Sequence, residues 1–129
     1  MQITDQDRQN LAQVHQLHAR VLAQLPPPHA FQGRGIVTSI YDKEFASGWV
    51  LLCELARLGC TLPLEVFHAK GERSPAQVAL LEQAYPHTTV RCFAEDGLKG
   101  FPLKVMAMFQ ARFEEILWLD SDDFPIREP

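Results

Sequence analysis

Asp120, Ser121, Asp122 and Asp123 stand in a row directly after Glu115-Ile116-Leu117-Trp118-Leu119, a segment that reads as a buried β-strand. On an extended continuation of that strand, side chains at i and i+2 share a side. Asp120 and Asp122 would then aim two hard oxygen donors at one point. Carboxylates held that close repel unless one is protonated or a cation lies between them. A divalent cation, Mn2+ or Mg2+, meets that demand while keeping open positions for substrate phosphates and water. Asp123 is placed instead to cap the turn that follows, with Pro125 shortly after. The plainer alternative is that these acids end a strand and begin a solvated turn that binds nothing. The residues alone lead as far as metal-assisted phosphate chemistry.

Such a site needs a scaffold, and the rest of the chain supplies the pattern of one. Gly35 to Tyr41 is short and β-branched, a first buried strand. Ala46 to Leu58 carries a helical stripe of Val50, Leu51, Leu55 and Leu58, and Gly59 is a ready C-terminal stop. Leu62 to His68 reads as a second strand with Pro63 at its start, where a missing donor is tolerated. Ser74 and Pro75 cap and open a helix that Pro86 closes. Thr88 to Phe93 is a third strand, Ala94 to Gly100 a polar loop, and Pro102 to Arg112 a helix packing Leu103, Val105, Met106 and Phe109. Ile116 to Leu119 is the fourth strand. Strands alternating with helices predict an α/β fold with a mostly parallel sheet covered on both faces. Ligands of such sheets bind beyond the carboxyl ends of the strands, where Asp120 begins.

An appended segment precedes this pattern. Thr4 and Asp7 form a helix-start pair. Leu11, Val14, His18, Val21, Leu22 and Leu25 then give one apolar stripe, ended by Pro26-Pro27-Pro28. The expected division is an N-terminal helix and Pro-rich loop over 1–33 and an α/β portion over 34–129. His15 and His18 have no third ligand nearby and read as a solvated or half-buried pair.

Composition narrows the classes. Of 129 residues, 47% are hydrophobic, enough for a core, and the formal net charge of −4 comes from interspersed acids and bases. No clustered basic face exists for nucleic acid. Cys53, Cys60 and Cys92 lack CxxC spacing and read as reduced, structural thiols. With no signal peptide and no span of about 18 apolar residues, the chain as written is expected to be soluble and cytoplasmic.

A second phosphate reading stays open. Phosphatases of the haloacid dehalogenase class also end an apolar strand in D-x-D, with the first Asp, here Asp120, as nucleophile. Their motif sits on the first strand, however, whereas three strand–helix units precede it here, and Phe124-Pro125 interrupts the continuation.

The stretches RGIVTSIY, LARLGCTLPLEVFHAKGE and GFPLKVMAMFQARFEEILWLDSDDFPIREP, with their spacing, resemble the fungal α-mannosyltransferase family that includes the α-1,3-mannosyltransferases, a GT-A type glycosyltransferase group. The resemblance runs from Arg34 onwards, about three quarters of the chain. It implies a partial GT-A, Rossmann-like domain that transfers a hexose with retention, mannose in the family, to a glycan or protein acceptor not identifiable here. It implies that Asp120 and Asp122 hold Mn2+ against the diphosphate of a nucleotide-sugar, GDP-mannose in the best-known members, where the ion stabilises the departing nucleoside diphosphate. Ser121 would lie near the donor ribose or sugar, Thr38 and Ser39 near the base and ribose, and Lys104 against phosphate charge. Glu65 and His68 fall in a matching strand, where packing explains them equally well. No catalytic nucleophile or base is identifiable.

Two departures stand out. Familiar members carry a membrane anchor and work in the Golgi lumen, whereas an amphipathic helix stands here. The loop after the first strand, glycine-rich in relatives, reads YDKEFAS. A complete enzyme of this kind would run to about twice this length. The chain is therefore expected to be the nucleotide-sugar half, completed by a C-terminal half or a homodimer, or else a non-catalytic remnant. Its sheet edge should expose apolar surface.

Overall fold

The computed structural model describes residues 4–23, 30–93 and 101–129. It divides into two units, Met1–Phe31 and Gln32–Pro129. The first holds helix α1 (Asp5–Ala23). Its start is a reciprocal cap: the Asp7 N–H donates to Thr4 Oγ1 (3.2 Å) and the Thr4 N–H to Asp7 Oδ2 (2.9 Å). Leu11, Val14 and Leu22 of its stripe are at least half exposed. The Val21 side chain, Leu25 and the triple proline lie outside the described residues, as does the loop predicted over 94–100.

The second unit is the predicted α/β pattern. Strands β1 (Arg34–Ser39), β2 (Leu64–His68), β3 (Thr88–Cys92) and β4 (Glu115–Trp118) alternate with helices α2 (Phe45–Arg57), α3 (Pro75–Ala84) and α4 (Phe101–Gln110). All pairings are parallel and the order is β3-β2-β1-β4. A short 3-10 turn, Asp42–Glu44, which the sequence did not announce, joins β1 to α2. Ser74 starts α3 with a full capping box to Gln77. Among the described residues no helix is long and apolar enough to cross a membrane. The three cysteines are free, Cys60 buried and Cys92 exposed.

Period-two alternation in the central strands builds two cores. Ile36, Ile40, Leu64 and Val66 point to one face, where Leu51, Leu52 and Leu55 of α2 and Leu81 of α3 cover them. Val37 and Phe67 point to the other, under Leu103 and Ala107 of α4. Each of these buried Val, Ile, Leu and Phe side chains contributes on the order of 1.5–3 kcal/mol. The two cores together fix α4 against the sheet opposite α2 and α3.

The sheet exposes an apolar edge as expected, and β4 is that edge. It reads as a buried strand but lies at the sheet edge, with Ile116 37% and Leu117 39% exposed. It pairs only with β1 among the described strands, so one flank has no ladder neighbour. Its apolar letters are those a doubly covered strand would carry, and nothing in the segment itself marks an edge.

Close approach at one glycine locks β4's lead-in to β1. A Cβ on Gly35 would overlap the ring of Phe113, which packs into the α4-side core. A Cβ on Gly48 of α2 would likewise meet Ile40. Gly35→Ala should therefore lose about 1–3 kcal/mol, seen as a lower urea midpoint with an unchanged slope. Gly48→Ala should also destabilise, although alanine is the better helix former by about 1 kcal/mol. A midpoint at or above wild type for both variants would show that Phe113 and Ile40 yield to an added methyl.

Candidate functional site

The chain runs β1 to β2 to β3 in one direction, then returns to lay β4 on the opposite side of β1. Neighbouring strands whose connections leave in opposite directions open a crevice at their carboxyl ends. A cleft of about 910 Å3 occupies that place, within the range of roughly 300–1,000 Å3 usual for small-molecule sites. Ser39 and Tyr41 reach it from the end of β1, Asp42, Lys43 and Glu44 from the 3-10 turn, and Glu72 from the β2–α3 loop. Leu103 and Lys104 of α4 line it, with Asp120, Ser121 and Asp122 from the end of β4.

Backbone hydrogen bonds explain how the acids arrive there. The Leu119 N–H donates to Val37 O (3.1 Å), so pairing with β1 persists to the residue before Asp120. The chain then turns: the Asp123 N–H donates to Asp120 O (2.9 Å) and the Asp120 N–H to Asp123 Oδ2 (3.1 Å). Asp123 caps a turn, but the one it closes with Asp120 and not one beyond it. The extended i, i+2 geometry does not occur, because Ser121 and Asp122 are the central residues of this turn. Both Asp120 and Asp122 nonetheless line the cleft.

Asp120 is tightly held. Oδ1 accepts from Trp118 Nε1 (2.7 Å), and Lys104 Nζ donates to Oδ1 (3.0 Å) and Oδ2 (3.2 Å). The ammonium also lies 4.9 Å from the Trp118 ring centroid, a cation–π contact. The Trp118 bond holds the Asp120 carboxyl below its ordinary range, burial opposes this, and Lys104 adds to the lowering. Ser121 is buried and donates from Oγ to Glu44 Oε2 (3.1 Å), tying the β4 turn to the 3-10 turn across the cleft.

The predicted donor residues separate. Ser39, Lys104, Asp120, Ser121 and Asp122 come together, but Thr38 does not. Its side chain is fully buried, with Oγ1 unpartnered among the described residues. Adjacent strand residues point to opposite faces, so Thr38 and Ser39 cannot both turn to one ligand. Glu65 is buried too, bonded to Arg91 Nη1 (3.0 Å) and the Arg112 N–H (3.2 Å), and His68 Nδ1 meets Ala69 O (2.8 Å).

Sequence reasoning missed Tyr41, Glu44, Trp118 and Arg73. Trp118 could have been found, since it ends the strand two residues before Asp120. Arg73 carried no local signal. Its guanidinium is fully buried and donates to Ile40 O (2.7 Å), Glu72 O (2.9 Å) and Asp42 Oδ1 (3.1 Å), stacking 5.3 Å from the Phe45 ring. It fastens the loop after β1 to the loop after β2, and so shapes one wall of the cleft.

Five carboxylates and two lysines line the cleft, a formal surplus of three negative charges. A bridging cation would offset that surplus for an anionic ligand. No cluster of three His, Cys, Asp or Glu that could hold a metal occurs among the described residues. Asp120 and Asp122 fit the other arrangement, in which one or two carboxylates hold a hard cation and substrate phosphates and water complete its shell.

Residues 33–129 match the family described as "Mannosyltransferase putative". Alpha-1,2-mannosyltransferase MNN2 of Saccharomyces cerevisiae is 24% identical over 98% of this chain and 23% of its own length. Alpha-1,2-mannosyltransferase MNN21 of Candida albicans is 29% identical over 94% of this chain and 21% of its own. MNN2 of the latter organism is 31% identical over 61% of this chain and 15% of its own. The chain therefore spans less than a quarter of the length of these curated relatives, all named for α-1,2 rather than α-1,3 transfer. None is named as a phosphatase, and the reading with Asp120 as a phosphatase nucleophile is not favoured.

Burial raises the Tyr41 phenol above its ordinary 10.0; a hydrogen bond with Ser39 opposes this, and Glu44, Glu72 and Asp120 add to the rise. Burial likewise raises Tyr85, whose hydroxyl donates to Leu62 O (2.6 Å). These are the chain's two tyrosines. A raised folded-state value means that stability is whole below the unfolded value and is lost as pH climbs towards the folded one. Tyrosinate absorbance should stay silent through about pH 10 in the native protein, then rise with alkaline unfolding. In urea both phenols should titrate normally. A native phenol ionising at or below the ordinary value would contradict the cleft's enclosure of Tyr41.

Proposed function

The chain belongs to this mannosyltransferase family, and from that premise we propose that the cleft between β1 and β4 holds the nucleoside diphosphate of a sugar donor through a divalent cation bound by Asp120 and Asp122. The observation that carries the reading is the acidic surplus at the sheet's switch point. Two aspartates there suit a metal–diphosphate pair and repel a bare diphosphate.

The donor is GDP-mannose and the cation Mn2+, with Mg2+ as its substitute, as the resemblance implies. When bound, the cation supplies Lewis-acid stabilisation of the charge that gathers on the leaving diphosphate. The chain's own groups do the rest. Lys104, at the cleft wall, brings one positive charge to the phosphates. Ser39 and Tyr41 offer a hydroxyl and an aromatic face to the ribose and base. Ser121 braces Glu44 so that the turn bearing both aspartates keeps its place. Mannose would pass to a glycan or protein acceptor, and the α-1,2 linkage of the named relatives is the one we carry over.

Isothermal titration of GDP-mannose into the full chain with Mn2+ tests the reading. Binding should require Mn2+ and disappear with EDTA. Asp120→Ala and Asp122→Ala should each weaken it by at least about 10-fold, the loss expected when a metal's support is removed. Equal affinity with and without Mn2+ would overturn the proposal. Turnover of an aryl phosphate without nucleotide affinity would favour the phosphatase instead.

A further inference from the structure

The contact between Lys104 and Asp120 raises a conflict within that reading. Lys104 belongs to α4 and Asp120 to the turn after β4, and Nζ reaches both carboxylate oxygens, at 3.0 and 3.2 Å. A carboxylate offers about four acceptor positions. The ammonium takes one on each oxygen, and the Trp118 indole N–H, at 2.7 Å, takes another on Oδ1. A hard cation bonds such oxygens directly, at about 2.0–2.6 Å. An ammonium and a divalent ion seated together on one carboxylate repel strongly.

We propose that Lys104 is the exchange partner of the cation. The ammonium yields Asp120 to the metal and passes to the donor's diphosphate, so that metal loading and diphosphate capture are coupled through one side chain. This rests on the reading of the cleft given above.

Three features support the exchange. Lys104 and Asp120 keep 30% and 50% of their side-chain surface open, so the ammonium can leave without unpacking the core. Lysine carries a point charge on a flexible four-carbon stem, with no fixed fork to break. In the position it now holds the ammonium also contacts the Trp118 ring, 4.9 Å from its centroid, an attraction that does not depend on Asp120, while the indole N–H keeps Asp120 oriented. No proton need move: Lys104 remains an ammonium and Asp120 a carboxylate throughout. Because coupling is reciprocal, a diphosphate that draws Lys104 away must tighten the metal, and the metal must tighten the diphosphate.

The test uses Lys104→Met, which keeps length and helix propensity but removes the charge. Free Mn2+ is counted by its paramagnetic resonance signal. In a Trp49→Phe background, quenching of Trp118 emission reports metal at Asp120, since the chain has two tryptophans. The variant should bind Mn2+ alone about 10-fold more tightly than the parent, and inorganic pyrophosphate or GDP in saturating Mn2+ about 10-fold more weakly, in the usual range of site coupling. Lys104→Arg, which retains a charge, should stay near the parent in the first measurement. Lys104→Gln repeats the charge removal should the methionine variant fold poorly. A merely structural lysine would weaken both bindings together, which overturns the exchange. Equal Mn2+ affinity in parent and variant overturns it too, and leaves the cation reading standing. No Mn2+ binding by any of these proteins overturns the cation reading and the exchange with it.

Discussion

Strand β1 has no side that faces water, and the rest of the molecule follows from that. Residues 35–39 are buried on both faces, which obliges helices to lie above and below and neighbours to pair on both edges. β2 takes one edge and β4 the other, with the chain crossing from α2 and α3 on one face to α4 on the opposite one. That crossing opens the cleft. The burial of these five residues thus sets where polar chemistry can occur.

Electrostatics then decides what the cleft can accept. A donor diphosphate is an anion, yet the walls are acidic, and the nearest lysine is engaged by the same aspartate that a cation would use. On the proposed reading, in which the anion arrives with a metal, this is no defect. Surplus carboxylate keeps free anions out and rewards only the neutralised pair. Arg73 makes the point by contrast. It is a cation close to the cleft, but its guanidinium is fully buried and occupied by backbone carbonyls and Asp42. Its charge is spent on holding loops.

Most of the scaffold was legible because strand and helix periods write themselves into the sequence. The capped starts at Thr4 and Ser74 and every strand centre follow from local rules that the fold obeys. What stayed illegible depends on non-local facts. An exposed apolar edge was expected of the sheet, but the letters of β4 do not say whether a neighbour lies beyond it, so nothing in the segment marked it as that edge. The turn at Asp120–Asp123 replaced an extended strand because Asp123 reaches back to the Asp120 N–H, a choice that composition permits but does not announce. Thr38 and Ser39 differ only in strand parity, and parity relative to the cleft requires knowing which face α4 covers. Arg73 and Glu44 act on partners more than 30 residues away.

The last of these long-range ties concerns α4, whose position sets Lys104 against Asp120. Along its length Leu103 and Ala107 seat the helix on Val37 and Phe67. Just beyond its other end, Glu65 of β2 accepts the Arg112 N–H and the Arg91 guanidinium, and Arg91 also donates to Gln110 O (2.7 Å). Replacing a buried, satisfied ion pair by apolar residues is often neutral for stability, whereas removing one partner strands the other. Glu65 is therefore best understood through geometry. Its carboxylate bonds in directions that an apolar contact would not specify, and so fixes how the exit of α4 meets β2 and β3. A helix free to slide on its apolar stripe would carry Lys104 away from the turn after β4. With Glu65 holding the far end, the slide is resisted, and the fold sets where the Lys104 stem starts, leaving its ammonium within reach of Asp120 and free to swing from it.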